Sequence, residues 1–484
     1  MEEAPEAVQV PVAFEIAERN FNVIGEHCLI RIFSTLPIQD RFATSLVCKN
    51  WYHVLKELGW INVTGWKVCQ HFIKRPNLTV NTVLQTLEKS IKYLTSCCIC
   101  FEHHPIINTR DHPRWIEKVF SMLSKGEKLR SVIWDFKVPS KILKNFFGKV
   151  INHLEELVLL PSNKIDMVLF APIFRKGSTL KTIIWEINPK DFNARHLIIF
   201  MEALPRTITH MHIQMPEAYF IESILTNMDR FDNLEELHII GNEVKLIRPI
   251  YFARPTKLSV LHISKINPKT NLSFLSGVCG LKKLILFGGR ITTEIAQKFV
   301  SNNREIEEID IGNIVGFNDD ILDKFLNLRF LKKLSISHQT EIRGTNLRRC
   351  DNLKKLCLYS CPSLTEESMT NLLGHARCMR LLILIENDMI TENMIEICRG
   401  VQREERFCLY ILRNNGQIQV YFFPELQPGQ YVDLKDEYDE IHEMLQRIEN
   451  GEEDLPFLRR MYEDIIREQT REQNQVQNHR EEEQ

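Results

Sequence analysis

A six-residue phrase of the form Leu-x-x-Leu-x-Leu recurs eleven times from residue 129 to residue 384, and it decides what the chain can fold into. It reads LRSVIW from Leu129, LEELVL from Leu154, LKTIIW from Leu180, ITHMHI from Ile208, LEELHI from Leu234 and LSVLHI from Leu258. It continues as LKKLIL from Leu281, IEEIDI from Ile306, LKKLSI from Leu331, LKKLCL from Leu353 and MRLLIL from Met379. Successive starts are 25, 26, 28, 26, 24, 23, 25, 25, 22 and 26 residues apart. A period in that range with this phrase is the mark of a leucine-rich repeat. The fold class it predicts is an α/β leucine-rich-repeat solenoid, a horseshoe with parallel strands on its concave face.

Within one repeat the chemistry alternates. After Leu281, the strand residues Leu284 to Leu286 give way to a turn at Gly288-Gly289 and then to TTEIAQKFV. Thr292 or Thr293 can cap the first turn of a helix there, and Glu294 suits the positive end of its dipole. Ile295 and Phe299 share one helix face. Asn318 and Thr365 stand at the same place before DDILDKFL and EESMTNLLGHA, which offer Leu322, Phe325, Met369, Leu372 and Leu373 to the core. No repeat can bury such a face alone, so neighbours must stack.

The phrase decays toward both ends. INVTGW from Ile61 and LTSCCICF from Leu94 are degenerate opening strands, and RFCLYILRNN from Arg406 is a last one. The organisation read from the sequence is an acidic disordered start (1–19), a helical unit (20–56) and degenerate opening repeats (57–128). The solenoid follows (129–425), with Pro424 and Pro428 in a turn near its end. Beyond it, two amphipathic helices (433–468) are candidates for a cap, and the Gln- and Glu-rich tail (469–484) is read as disordered.

Bulk properties exclude several function classes. A net charge of −2 gives no basic excess to favour nucleic acid as a partner. No apolar run reaches the length a membrane span requires, and the acidic start lacks the features of a signal peptide. Thirteen cysteines scattered through repeat positions fit reduced thiols. The expected location is therefore the cytoplasm, the nucleus or both. No phosphate-cradling loop or nucleophile elbow is found, no cofactor is implied, and no catalytic residue is assigned.

Residues 24–55, IGEHCLIRIFSTLPIQDRFATSLVCKNWYHVL, have helical periodicity. Leu29, Ile32, Phe33 and Leu36 make one apolar stripe, and Phe42, Leu46, Val47 and Trp51 make a second, with Pro37 and Asp40 between them. A helix-turn-helix this small cannot bury so many large side chains by itself. The surplus predicts a partner surface.

The Leu29–Leu36 stretch, Asp40 and the Leu46-Val47-Cys48-Lys49-x-Trp51 tail resemble the F-box family, although the family's usual Leu-Pro opening is here Ile24-Gly25. Followed by leucine-rich repeats, the segment is similar to the F-box/leucine-rich-repeat group, whose cysteine-containing repeats resemble that from Leu353. The resemblance implies a substrate-recognition subunit of an SCF-type ubiquitin ligase. The F-box would bind a Skp-type adaptor and, through it, cullin and RING subunits. The repeats would bind a protein substrate. The implied adaptor contacts are Ile24, Leu29, Ile32, Phe33, Leu36, Leu46, Val47 and Trp51. The chain itself would not be an enzyme. The alternative is a non-degradative scaffold or a ligand receptor on the same frame.

Stacked strands place the middle outward position of each phrase in one column. It runs Ile133, Val158, Ile184, His212, His238, His262, Ile285, Asp310, Ser335, Cys357, Ile383. Ile184, the three histidines and Ile285 are the candidate substrate contacts. Glu236, Lys283, Glu308, Lys333 and Lys355 flank them with charge. The histidines are expected to point to solvent; the competing readings are an uncharged ladder on which three histidines fall by chance and a zinc site built from them. Cys97, Cys100, His103 and His104 suggest a zinc site, but residues three apart on a strand face opposite sides, so the cysteines are read as buried thiols of a repeat strand. Trp134 and Trp185, the last inward residues of their phrases, are assigned to the core.

Overall fold

The structure, a computed structural model, describes residues 26–36, 41, 44, 47–57, 64–68, 80–99, 112–134, 136–160, 167–186, 194–215, 224–225, 227–244, 257–347, 352–387, 392–400, 407–412 and 418–423. The N-terminal segment, the stretch after residue 423 with its two expected helices, and Ile24, Leu46 and Cys100 lie outside the described residues. The chain divides into two compact units, residues 1–191 with 199–208, and residues 192–198 with 209–484.

The first unit opens on two helices, α1 (Glu26–Thr35) and α2 (Lys49–Glu57). Five strands follow: β1 (Gly65–Val68), β2 (Ser96–Ile99), β3 (Ser131–Trp134), β4 (Glu156–Leu159) and β5 (Thr182–Glu186). Each pairs in parallel with the next. The returns are helical: α3 (Val80–Ser90), α4 (His112–Leu123), α5 (Ser140–Val150) and α6 (Met167–Phe174). Aromatic rings bind these returns to one another. Phe120 meets Phe146 edge-on at 5.2 Å, Phe147 meets Phe174 at 5.6 Å, and Phe174 meets Phe200 at 5.8 Å. Trp134 and Trp185 are buried in this core, so the largest inward residues of two phrases anchor it.

The second unit carries β6 (His210–Met215), β7 (Glu236–Val244), β8 (Val260–Asn271), β9 (Lys283–Arg290) and β10 (Glu308–Gly312). Then come β11 (Lys333–Ser337), β12 (Lys355–Tyr359), β13 (Leu381–Ile385), β14 (Phe407–Leu412) and β15 (Ile418–Phe423). Pairing is parallel from β6 to β14. At the end it reverses, since β15 runs antiparallel to β14. Helix α7 (Ala194–Ala203) contributes residues to both units. Helices α8 (Thr293–Asn302), α9 (Asp319–Leu326), α10 (Glu366–His375) and α11 (Glu392–Gly400) are the described returns of the second unit.

Register explains the leucines. Leu284, Ile309, Leu334, Leu356, Leu382 and Leu409 lie side by side in the ladder and are all buried. Burying one such side chain contributes roughly 1.5–3 kcal/mol, and each is covered only because the next repeat is present. The helix starts are capped as their sequences require. Thr292 Oγ1 accepts from the Ile295 amide at 3.4 Å, Asn318 Oδ1 from Ile321 at 3.2 Å, and Thr365 with Ser368 forms a capping box.

Two features depart from the expected repeat. β9 does not turn at Gly288-Gly289 but runs through both to Arg290. β8 is twelve residues long, with register shifts on both sides. The residue seven after each phrase start is left-handed in six consecutive repeats: Lys265 (φ 57°), Gly288 (88°), Asn313 (51°), His338 (50°), Ser360 (47°) and Glu386 (53°). In the later repeats that turned residue ties itself to its neighbour. The amide of Asn313 donates to Ser337 O at 3.0 Å, His338 to Tyr359 O at 2.9 Å and Ser360 to Ile385 O at 2.9 Å.

Candidate functional site

Two surfaces compete for function, one in each unit. In the first, Leu29 and Phe33 of α1 pack with Val54 and Leu55 of α2, while Ile30, Leu36 and Trp51 lie partly buried against them. The Phe33 and Trp51 rings meet edge-to-face at 5.2 Å. Arg41 closes the far end of α1, its Nε donating to Leu36 O at 3.0 Å and Nη2 to Ser34 O at 2.8 Å. A guanidinium on these last carbonyls complements the negative end of the helix, and burial lowers its pKa from the usual value. The start of α2 is set by Cys48, whose sulfur accepts from the Trp51 amide at 3.5 Å.

This packing corrects two expectations. Leu29 and Phe33, expected on the partner surface, are fully buried within the two-helix core. Val47 does not continue a helical stripe to Trp51. It sits on a turn ahead of α2, with its amide bonded back to Thr44 O at 3.2 Å. The side chains left outside are Ile32 (46% exposed), Val47 (48%) and Tyr52 (43%). They are three of the six large apolar residues exposed among the described residues. Neither Tyr52 nor Arg41 is marked by the periodicity of the sequence. Tyr52 adjoins Trp51 but falls off its stripe, and Arg41 has no periodic partner.

In the second unit the histidine column is real. His212 (β6), His238 (β7) and His262 (β8) are laterally in register. The His212 and His238 rings stack at 5.6 Å with planes 13° apart. The His238 and His262 rings meet edge-on at 5.3 Å, with their Nδ1 atoms 3.3 Å apart. Glu236 lies 3.7 Å from His210 and 3.8 Å from His238. Burial first, and then the charge of His238, pushes the His212 pKa down to about 4. Burial, Lys283 and His210 lower that of His238. His212 and His238 are therefore neutral at pH 7.

The solvent exposure of the column is less than expected. His262 and Ile285 are each only 5% exposed. Ile285 is enclosed by His262 and Asp310 across the ladder and by Lys283 and Phe287 along its own strand. Ile184, half-buried in β5, belongs to the first unit. No group of three or more His, Cys, Asp or Glu side chains that could hold a metal ion occurs among the described residues. Cys97 is buried and its thiol pKa is raised by that burial, in line with a core thiol.

The profile of the F-box domain family matches residues 24–60. The chain carries an F-box. Its buried pair of helices and its exposed Ile32, Val47 and Tyr52 are thus one domain, joined to leucine-rich repeats. No curated protein matches the sequence at a significant level. Among solved structures, the chain is similar to the complex of Rad7 and Elc1 from yeast, at 12% identity over 82% of this chain and 95% of that one, with a TM-score of 0.44. It is also similar to an internalin from Listeria monocytogenes, at 14% identity over 67% and 92% with a TM-score of 0.35. A leucine-rich-repeat protein of Leptospira interrogans matches at 13% identity over 68% and 98%, with a TM-score of 0.36.

Proposed function

We propose that this chain is the substrate-recognition subunit of a cullin-RING ubiquitin ligase of the SCF type. The observation that carries the reading is the outward apolar surface of the F-box at Ile32, Val47 and Tyr52, beside a core that among the described residues is formed by Leu29, Phe33, Val54 and Leu55. Exposed apolar side chains gathered on so small a domain mark a protein interface. Such contacts dock a Skp-type adaptor, which brings cullin and RING subunits. The repeats hold a protein substrate, and the ladder of outward positions on β6 to β13 offers the variable surface for it. The chain performs no bond chemistry. It raises the concentration of a substrate lysine near activated ubiquitin, in a compartment that keeps thiols reduced.

The test is a double substitution, Ile32→Asp with Val47→Asp, in the full chain. Both residues are exposed, so melting temperature and circular dichroism should match the parent. Co-purification of adaptor and cullin should be lost. Retention of both by a folded double variant would show that this surface does not dock the adaptor.

A further inference from the structure

The charges that open the strands of the second unit follow a rule and then break it. From β9 to β13 the residue before the strand is in turn Lys282, Glu307, Lys332, Lys354 and Arg380, and the first strand residue is Lys283, Glu308, Lys333, Lys355 and Leu381. Over the first three repeats the signs alternate and the groups pair. Lys283 Nζ lies 3.1 Å from Glu308, and Lys332 bonds Glu307. Lys282 reaches Glu305 at 2.8 Å. From Lys332 onward alternation stops, and five cations occupy three neighbouring repeats.

Geometry forces these cations together. The Lys354 amide donates to Lys332 O at 2.9 Å and the Arg380 amide to Lys354 O at 2.7 Å, so their backbones are stacked laterally. Lys333 and Lys355 are direct partners in the β11–β12 register. Adjacent strands lie about 4.8 Å apart, and like charges set opposite one another on a sheet cost stability. Lys332 and Arg380 are exposed, and Lys333, Lys354 and Lys355 are half-exposed. Glu308 and Glu307, from β10 and the residue before it, stand at one edge of the block. Phe330, two residues ahead of Lys332, is an exposed aromatic on the same approach, with the Arg329 guanidinium 5.7 Å from its ring.

We infer that the block Lys332, Lys333, Lys354, Lys355 and Arg380 is the docking surface for an acidic polypeptide segment of the substrate. The inference rests on the substrate-receptor reading above and names the chemistry of what the repeats hold. A carboxylate-rich strand laid across β11, β12 and β13 would meet a cation at every repeat, where alternate signs elsewhere would repel half its charges. A complementary charge at each repeat makes the contact selective.

The test uses the full chain, with fluorescein-labelled decaglutamate as probe and anisotropy as readout. The parent should bind the peptide, more weakly as salt is raised. Lys354→Glu with Lys355→Glu should weaken binding by at least about tenfold, and Lys354→Gln with Lys355→Gln should fall between that variant and the parent. Lys149→Glu, on exposed α5 of the first unit, should change nothing. The inference is overturned if the parent does not bind decaglutamate. An equal loss in Lys149→Glu, or tighter binding of an oligouridylate of equal charge, would also overturn it. Adaptor co-purification from the same samples separates the two readings. A chain that captures adaptor but no peptide refutes this surface alone; one that binds peptide but no adaptor refutes the F-box docking alone.

Discussion

The Nδ1 atoms of His238 and His262 lie 3.3 Å apart, so one ring must present a proton and the other a lone pair. This contact fixes two tautomers in the middle of the outward ladder, on a strip where His212 and His238 resist protonation for the reasons given above.

Acid should therefore loosen the second unit. Unfolded, His212 takes up a proton near its ordinary value of 6.5; folded, it does so only near 4. Between those values the unfolded chain binds more protons, so stability falls as pH falls. His238 acts in the same direction. Glu236, His210 and Lys283 are the charged and titratable groups around them. The melting temperature should drop between pH 6.5 and pH 4, and His212→Asn should flatten that slope. A variant curve parallel to the parent over this window would refute the assignment.

Gly288 should be among the least replaceable residues of the repeats. Its φ is +88°, and a Cβ there would fall 2.1 Å from Ile266 O. Gly288→Ala should destabilise by more than about 2 kcal/mol, through backbone displacement and strain together. Gly374, in α10, has nothing within 4 Å of an added Cβ. Gly374→Ala should be neutral or stabilising by up to about 1 kcal/mol. Paired thermal melts check both, and equal behaviour of the two would contradict the argument.

Asn387 joins neighbouring repeats through one side chain. Its Oδ1 accepts from the Cys361 amide at 2.9 Å, and its Nδ2 donates to Leu358 O at 2.7 Å and Ile385 O at 2.9 Å. Asn387→Ala should strip partners from buried backbone at a cost on the order of 3 kcal/mol. The specific sign is faster hydrogen exchange at the Cys361 amide. Unchanged protection there would mean that the amide finds another acceptor.

The repeats were legible because their period and their packing are one phenomenon. In every one of the eleven phrases the strand begins two residues after the phrase starts, as with Lys283 after Leu281 and Lys355 after Leu353. Caps at Thr292, Asn318 and Thr365 were equally readable, since a cap is local chemistry. The reversal at β15 does have a signal outside the repeat phrase, the Asn415-Gly416 pair between β14 and β15, a dipeptide that favours a tight hairpin turn. In the F-box, periodicity identified Phe33 and Trp51 as apolar but could not say that they face each other, leaving Ile32, Val47 and Tyr52 outside. His262 and Ile285 were placed correctly in the column, yet their burial follows from the bulk of neighbours on adjoining strands.

The left-handed residue seven places after the start of six consecutive phrases gives those repeats a common joint. Asn313 and His338 turn the chain the same way, 25 residues apart, and so do His338 and Ser360, 22 residues apart. The spacing between joints varies while the joint does not. Length is thus negotiable inside a repeat but not at its exit. Excising 314–338 would bring together two ends built to the same angle. Such an array can grow or shrink by whole repeats over evolutionary time, changing the reach of its binding surface without redesigning a single turn.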